Sequence, residues 1–317
     1  MNNKGAKIYI AGHLGMVGSA CWRALTNAGY TNLLGKTSKE LDLRNQQAVH
    51  DFIKAEKPDA IIDAAARVGG ILANDTYPYE FLMDNMLIQN NLIRSAHEND
   101  IEKFIFLGSS CIYPKFASQP IKEEYLLTNE LEPTNQWYAI AKISGVKLIE
   151  AIRKEYNRDY VSLMPTNLYG PGDNFDLETS HVLPAMIRKF HEAKENNHAK
   201  VTLWGSGAPM REFLHVDDLG QAVLFALEHK LEEHLYNVGS GNDLTIKALA
   251  EIIQKVVGHK GEVIWDDTKP DGTPKKLMDS SKLNAKGWIS TINLEKGIKT
   301  THEWFLDHNE SFKEIKF

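Results

Sequence analysis

Only two cysteines, Cys21 and Cys111, occur in 317 residues. That is no disulfide framework, and it fits a reducing cytoplasmic setting. No stretch approaches the ~20 consecutive apolar residues that cross a bilayer, and the apolar part of the opening "MNNKGAKIYIAG" is too short for a signal segment. Neither export nor membrane insertion is expected. No sign of charge dominates: 36 basic and 42 acidic residues give a formal net charge of −6, spread along the chain. Without a basic stripe to neutralise phosphates, no nucleic-acid partner is expected. Internal repeats and low-complexity tracts are absent too, and no metal is expected.

What is present is an ordinary globular composition, 43% hydrophobic and 25% charged. The first 170 residues alternate short β-branched runs with amphipathic stretches, the rhythm of βαβ units building a parallel sheet. The expected strands are "KIYIAG", "NLLGK", "DAIIDAAA", "KFIFLGSS" and "YVSLMPTNLYG", with helices near 19–28, 45–56, 79–98 and 137–156. Beyond Pro171 come shorter elements: a helix near 181–195, "KVTLWG", a helix from about Asp217, "LYNVGSG", a helix at 245–257, "EVIWDD", a loop "TKPDGTPKKLMD" and a helix near 294–307. The stretch "REFLHVDDLGQAVLFALEH" and "LYNVGSG" read as elements returning to the first layer.

Directly after the first strand, "YIAGHLGMVGSA" sets Gly12, Gly15 and Gly18 in G-x-x-G-x-x-G spacing at a helix start. Such glycines allow a tight turn and close approach, so that a pyrophosphate can sit on the helix N-terminus. His13, Leu14, Met16 and Val17 belong to the same cofactor-binding loop. The expected architecture is therefore α/β: a Rossmann-type doubly wound parallel sheet with a smaller C-terminal α/β substrate lobe. Residues 1–170, with returning segments at about 212–242, would form the nucleotide-binding domain, and about 171–211 and 243–317 the lobe.

An acid usually ends the second strand where the ribose carries a free 2′-hydroxyl. Here "LLGKTSKEL" offers Lys36, Ser38 and Lys39, with Glu40 a little late. Lysines and hydroxyls suit a 2′-phosphate, so NADP(H) is favoured over NAD(H).

In "QWYAIAKISG" Tyr138 and Lys142 lie four residues apart and project from one face of the expected helix. A phenol titrates near ~10 unless a neighbouring cation favours its phenolate, and Lys142 is placed to do that. Ser109, in "FLGSSCIYP" at the carboxyl end of a strand, would hydrogen-bond the carbonyl that Tyr138 protonates. Cys111 follows at that sheet edge, where open α/β folds bind ligands.

The segments "AGHLGMVGSA", "AAARVGGILANDTYP", "FLGSSCIYPK", "EPTNQWYAIAKISG", "MPTNLYGPGDNF", "SHVLPA", "WGSGAPMREFLHVDD" and "KPDGTPKKLMD" carry a resemblance. In order and spacing the chain resembles the extended short-chain dehydrogenase/reductases, and within them the GDP-L-fucose synthase branch. The resemblance implies NADPH-dependent 3,5-epimerisation and 4-keto reduction of GDP-4-keto-6-deoxy-D-mannose. It implies Ser109, Tyr138 and Lys142 as the reductase triad and Cys111 with His181 as the epimerisation pair. Leu107, Gly108, Ser109, Ser110, Pro165, Thr166, Asn167, Leu168 and His181 would adjoin the cofactor, and Asn167, Lys189, Trp204, Arg211, Asp271 and Lys276 the GDP-sugar. A homodimer is implied as well, through the apolar faces of "EFLMDNMLIQNNLIRSA" and 143–152.

The chemistry is consistent with that assignment. A 4-keto sugar has acidic hydrogens at C3 and C5, and inversion needs a base on one face and an acid on the other. A thiol lowered by nearby cations could be the base, and an imidazole the acid. Leu14 and Ser38 stand where the branch carries arginines toward the 2′-phosphate, so Lys36 and Lys39 must substitute. Lys189 replaces another arginine, keeping charge without the bidentate fork. The alternatives are a C4-only reductase of a related GDP-keto sugar and, in another class, a non-catalytic NADP-binding regulator.

Overall fold

A computed structural model describes residues 3–177, 179–269 and 271–308. Pro270 of the "KPDGTPKKLMD" segment and the last nine residues of the expected lobe lie outside them. In chain order the first half contains β1 (Ile8–Ala11), α1 (Met16–Asn27), β2 (Leu33–Leu34), α2 (Gln46–Glu56), β3 (Ala60–Asp63), α3 (Ile71–Thr76), α4 (Pro78–Glu98), β4 (Lys103–Leu107), α5 (Gln136–Tyr156) and β5 (Asp159–Pro165). The second contains β6 (Asn167–Tyr169), α6 (Val182–Glu195), β7 (Lys200–Trp204), β8 (Met210–His215), α7 (Val216–Glu228), β9 (Leu235–Val238), β10 (Asp243–Thr245), α8 (Ile246–Val257), β11 (Glu262–Asp266), β12 (Lys275–Lys276), α9 (Ser281–Ala285) and α10 (Leu294–His308).

Six strands form one parallel sheet in the order β2-β1-β3-β4-β5-β9. Both faces are covered, so β1, β3 and β4 are buried throughout and read as unbroken apolar runs rather than alternating ones. Leu92, Val146 and Ile149 close one face together with Val49 and Ile53, while Leu25, Leu219 and Val223 close the other. The register aligns Ala11, Asp63, Phe106, Ser162 and Leu235 in one row. All strands therefore point their carboxyl ends at the same crevice.

"YVSLMPTNLYG" is not one strand. It divides at Thr166: β5 stays in the sheet, whereas β6 leaves it to run parallel to β8. The Asn167 amide donates to the Glu212 carbonyl at 2.8 Å, which draws the chain across. The "REFLH" stretch likewise lies in a second sheet, β10-β8-β12, and the return to the first layer is made by α7 and β9. Within the expected loop "TKPDGTPKKLMD", Lys275 and Lys276 pair with β8 as a short strand. Strand β4 stops at Leu107, and Ser110–Ile112 form a 3₁₀ turn. The third cluster, with Phe175, Phe190, Phe213 and Phe305 among α6, α8 and α10, is a separate core beneath the second sheet.

Candidate active site

The glycine loop is a tight cradle. Gly12 has φ +75°, and Gly15 N–H donates to its carbonyl at 3.0 Å. A methyl group on Gly18 would come within 2.1 Å of Gly12 O, so α1 could not approach the loop with any side chain there. No side chain caps α1 at Gly15, leaving its first amides free for an anion. The His13 ring packs on Gly35 and lies 5.7 Å from Trp22, which joins the loop to the end of β2; Leu14 is 72% exposed. Met16 and Val17 open the helix.

After β2, Lys36 Nζ lies 3.7 Å from Glu40. The Glu40 carboxylate accepts from Thr37 N–H at 2.8 Å and Thr37 Oγ1 at 2.7 Å, which holds it ionised below its ordinary range. Ser38 and Lys39 are exposed. This group sits at the sheet edge, three strands from β4, apart from the residues that follow.

At the end of β4, Gly108 leaves room for Met164 and Ser109 takes an extended conformation. Ser109 Oγ accepts from Cys111 N–H at 3.4 Å, and Ser110 is buried beside them. Lys142, 2% exposed, donates from Nζ to Leu107 O at 2.9 Å and sits 5.8 Å from the Tyr138 ring centroid. Burial raises the Tyr138 phenol, and the charges of Cys111 and Asp63 add to it. The expected lowering is thus reversed, and the phenol keeps the proton that it is expected to give to the carbonyl. Burial also lowers the Lys142 pKa, against the pull of Asp63 and Cys111.

Cys111 is 8% exposed. Its thiol is raised, not lowered as expected, because burial outweighs the opposing charges of Lys276 and Lys142 and the Ser109 hydrogen bond. Lys276, on β12, feels Cys111, Arg211 and Glu132. His181 precedes α6 and is held below its ordinary value by burial and by Lys276. The charge of Lys276 thus acts on both the thiol and the imidazole.

On the lobe side Trp204 is 62% exposed, with Lys189 Nζ 5.6 Å and Lys269 Nζ 5.5 Å from its ring centroid. Asp271 accepts from Ser206 N–H and Oγ, both at 2.7 Å, and adjoins Arg211. Pro165 ends β5, with Thr166, Asn167 and Leu168 where the chain crosses to the second sheet.

Residues 8–239 match the model of the NAD dependent epimerase/dehydratase family. A putative GDP-L-fucose synthase 2 from Arabidopsis thaliana is 56% identical over 308 residues, 97% of this chain and 94% of the relative. The GDP-L-fucose synthase of Escherichia coli K12 is 52% identical over 316 residues, 97% of this chain and 98% of the relative. This chain belongs to that family, in its GDP-L-fucose synthase branch. A solved GDP-mannoheptose C4 reductase from Campylobacter jejuni with NADP bound has a TM-score of 0.88 at 36% identity, over 96% of this chain and 99% of that one.

As an epimerase/dehydratase family enzyme, the protein uses a nicotinamide cofactor. The residues present fit one: the cradle at Gly12 and Gly18 has no room for a Cβ, and the uncapped α1 faces it. Sequence reasoning missed Asp63 and Lys269. Asp63 closes the apolar run "DAIID" at a strand's carboxyl end, and that mismatch was its signal. Its carboxyl is fully buried, accepts from Ala65 N–H at 3.2 Å and is pushed up to about 6, chiefly by burial and against Lys142.

Proposed function

We propose that the enzyme converts GDP-4-keto-6-deoxy-D-mannose to GDP-L-fucose with NADPH, inverting C3 and C5 and reducing C4. The observation that carries this reading is the convergence of Ser109, Cys111, Tyr138 and Lys142 at one strand end, with Lys276 linking Cys111 to His181. The names of relatives at 56% and 52% identity support it.

Ser109 Oγ and Tyr138 Oη hold the ketone oxygen, so that charge spreading onto it from C3 or C5 is stabilised. In the thiolate fraction that the charges of Lys276 and Lys142 favour against burial, Cys111 Sγ removes the proton from C3 or C5 and becomes a thiol. His181 returns a proton from the opposite face. When bound, the nicotinamide supplies the hydride for C4. Tyr138 Oη then gives its proton to the C4 oxygen, and Lys142 balances the phenolate left behind.

Gly12, Gly15 and Gly18 with the start of α1 hold the pyrophosphate, and Lys36, Ser38 and Lys39 meet the 2′-phosphate. Trp204 offers its face to the guanine between Lys189 and Lys269, while Arg211, Asp271, Lys276 and Asn167 position the rest of the GDP-sugar. The six-stranded sheet to residue 170, with α7 and β9, is the nucleotide-binding domain, and the remainder is the substrate lobe. Among the described residues no helix is long and apolar enough to cross a membrane. We assign the enzyme to the cytoplasm, as a homodimer; Ile143, Val146, Ile149 and Ile152 of the expected apolar face are buried in the core of the fold instead, which leaves the exposed Met83 and Leu87 of α4 and Ile140 of α5 for the contact.

Incubation of the keto sugar with NADPH in heavy water, followed by NMR of the product, tests the reading. Deuterium at C3 and C5 with a reduced C4 is expected. The C4 reductase of C. jejuni gives a second reading, which predicts reduction with no deuterium at C3 or C5.

A further inference from the structure

Asp63 is the one carboxylate in a strand otherwise made of Ala60, Ile61 and Ile62, all fully buried. Oδ1 accepts from the Ala65 amide, but Oδ2 has no hydrogen-bond partner within the protein. Burying such a group costs more than an apolar side chain of like size unless a counter-charge or function compensates. The register sets Asp63 beside Phe106, and the Lys142 ammonium lies 4.7 Å from the centre of the Phe106 ring. Lys142 in turn gives one of its three N–H bonds to Leu107 O. The buried base thus sits on the ring of the residue beside the buried acid, and the two feel each other's charge.

We propose that Asp63 is a positioning residue for the proton-donating pair: its carboxylate, buried beside Phe106 on whose ring the Lys142 ammonium sits, holds that lysine in its charged form beneath Tyr138. The inference rests on the proposed reductase role of Tyr138 and Lys142. The groups around the pair are few. Lys142 and Tyr138 face Asp63 from α5 and Tyr9 from β1, while Cys111 faces Lys142 and Tyr138 from the turn after β4. Gln89 of α4 is uncharged and spends its amide on Ala141 O and Ser144 Oγ. Among these groups Cys111 bears a proton at neutral pH, its thiol being raised, so Asp63 is the standing negative charge. It acts on both partners in one direction: a charge there favours ammonium on Lys142 and phenol on Tyr138, the two forms that reduction needs.

The test is a titration of Lys142 by NMR of the purified enzyme labelled with ¹³Cε-lysine, with Lys142→Met assigning the signal. In Asp63→Asn the Lys142 midpoint should fall by about one pH unit or more, the size expected for loss of an adjacent opposite charge. The alkaline limb of keto-sugar reduction should move down with it. A merely structural Asp63 would lower the melting temperature and leave the midpoint in place, and an unmoved midpoint overturns the proposal. Should Asp63→Asn not fold, Asp63→Leu, which fills the site with apolar atoms, undergoes the same titration. If the wild-type enzyme reduces no keto sugar, the function assigned above fails while the Lys142 midpoint still decides this inference.

Discussion

Lys142 Nζ donates to the main-chain oxygen of Leu107 at 2.9 Å, joining the second turn of α5 to the last residue of β4. That bond fixes where Tyr138, one turn earlier on the same face, stands above the strand end that carries Ser109. The strand end supplies the hydroxyl and the helix the acid, and a single buried ammonium holds the two in register.

Tyr138→Phe should lower reduction by about 10²–10⁴-fold, the usual contribution of a positioned proton donor. The phenol is no part of the glycine cradle proposed to hold the pyrophosphate, so NADPH affinity should stay within a factor of about two. Single-turnover absorbance at 340 nm and equilibrium titration with NADPH measure the two. Parallel loss of both would place Tyr138 in cofactor binding instead.

Cys111→Ser should stop deuterium entering C3 and C5 while an already epimerised keto sugar is still reduced. Because Lys276 opposes the burial that raises the thiol, Lys276→Met should raise it further. Thiolate is then available only at higher pH, and epimerisation at pH 7 should fall about tenfold for each pH unit that the thiol moves up. The pH profile of deuterium exchange reads this: its rising limb should move to higher pH, and an unmoved limb removes Lys276 from the role.

The parallel sheet was legible because doubly covered strands are written as apolar runs and the glycine loop follows the first of them directly. Ser109, Tyr138 and Lys142 were legible as candidates as well, since each lies in a motif whose spacing survives folding, whereas Cys111 was a candidate through the family resemblance. What the residues alone did not reveal depends on neighbours far apart in sequence. Strand β12 exists only because Lys275 and Lys276 find β8, some 65 residues earlier in the chain. The charge state of Cys111 turns on how deeply the 3₁₀ turn is buried, so adjacent cations predicted the wrong direction. Asp63 went unnoticed because Lys142 comes 79 residues later and only folding sets the two on either side of one residue, Phe106: Asp63 next to it in the sheet, Lys142 on its ring.

Glu40 restrains Lys36 and is itself held by Thr37. Glu40→Gln removes the negative charge nearest the expected 2′-phosphate and frees the ammonium. The Michaelis constant for NADPH should fall by about two- to fivefold, with that for NADH unchanged or higher. Replacing Lys36 and Lys39 with alanine should do the reverse, raising the constant for NADPH more than that for NADH. If both cofactors respond equally to either change, the phosphate is bound elsewhere.

His302 gives the pH dependence of stability a defined sign. It is 7% exposed on α10, its ring is 5.8 Å from that of His191, and burial together with His191 and Lys194 depresses its pKa to about 4. The unfolded chain takes up that proton near ~6.5. Between those values the unfolded state binds more protons, so this residue's contribution is complete above about pH 6.5 and is lost as pH falls toward about 4. The full loss is roughly 3 kcal/mol, since a tenfold change in proton affinity corresponds to about 1.4 kcal/mol. In His302→Leu that part of the acid sensitivity is gone. The melting temperature of the variant, taken relative to wild type, should therefore climb steadily from about pH 7 to about pH 4.5, whatever constant offset the change in packing adds. A difference that stays flat across this range would mean that His302 protonates as readily in the fold as outside it.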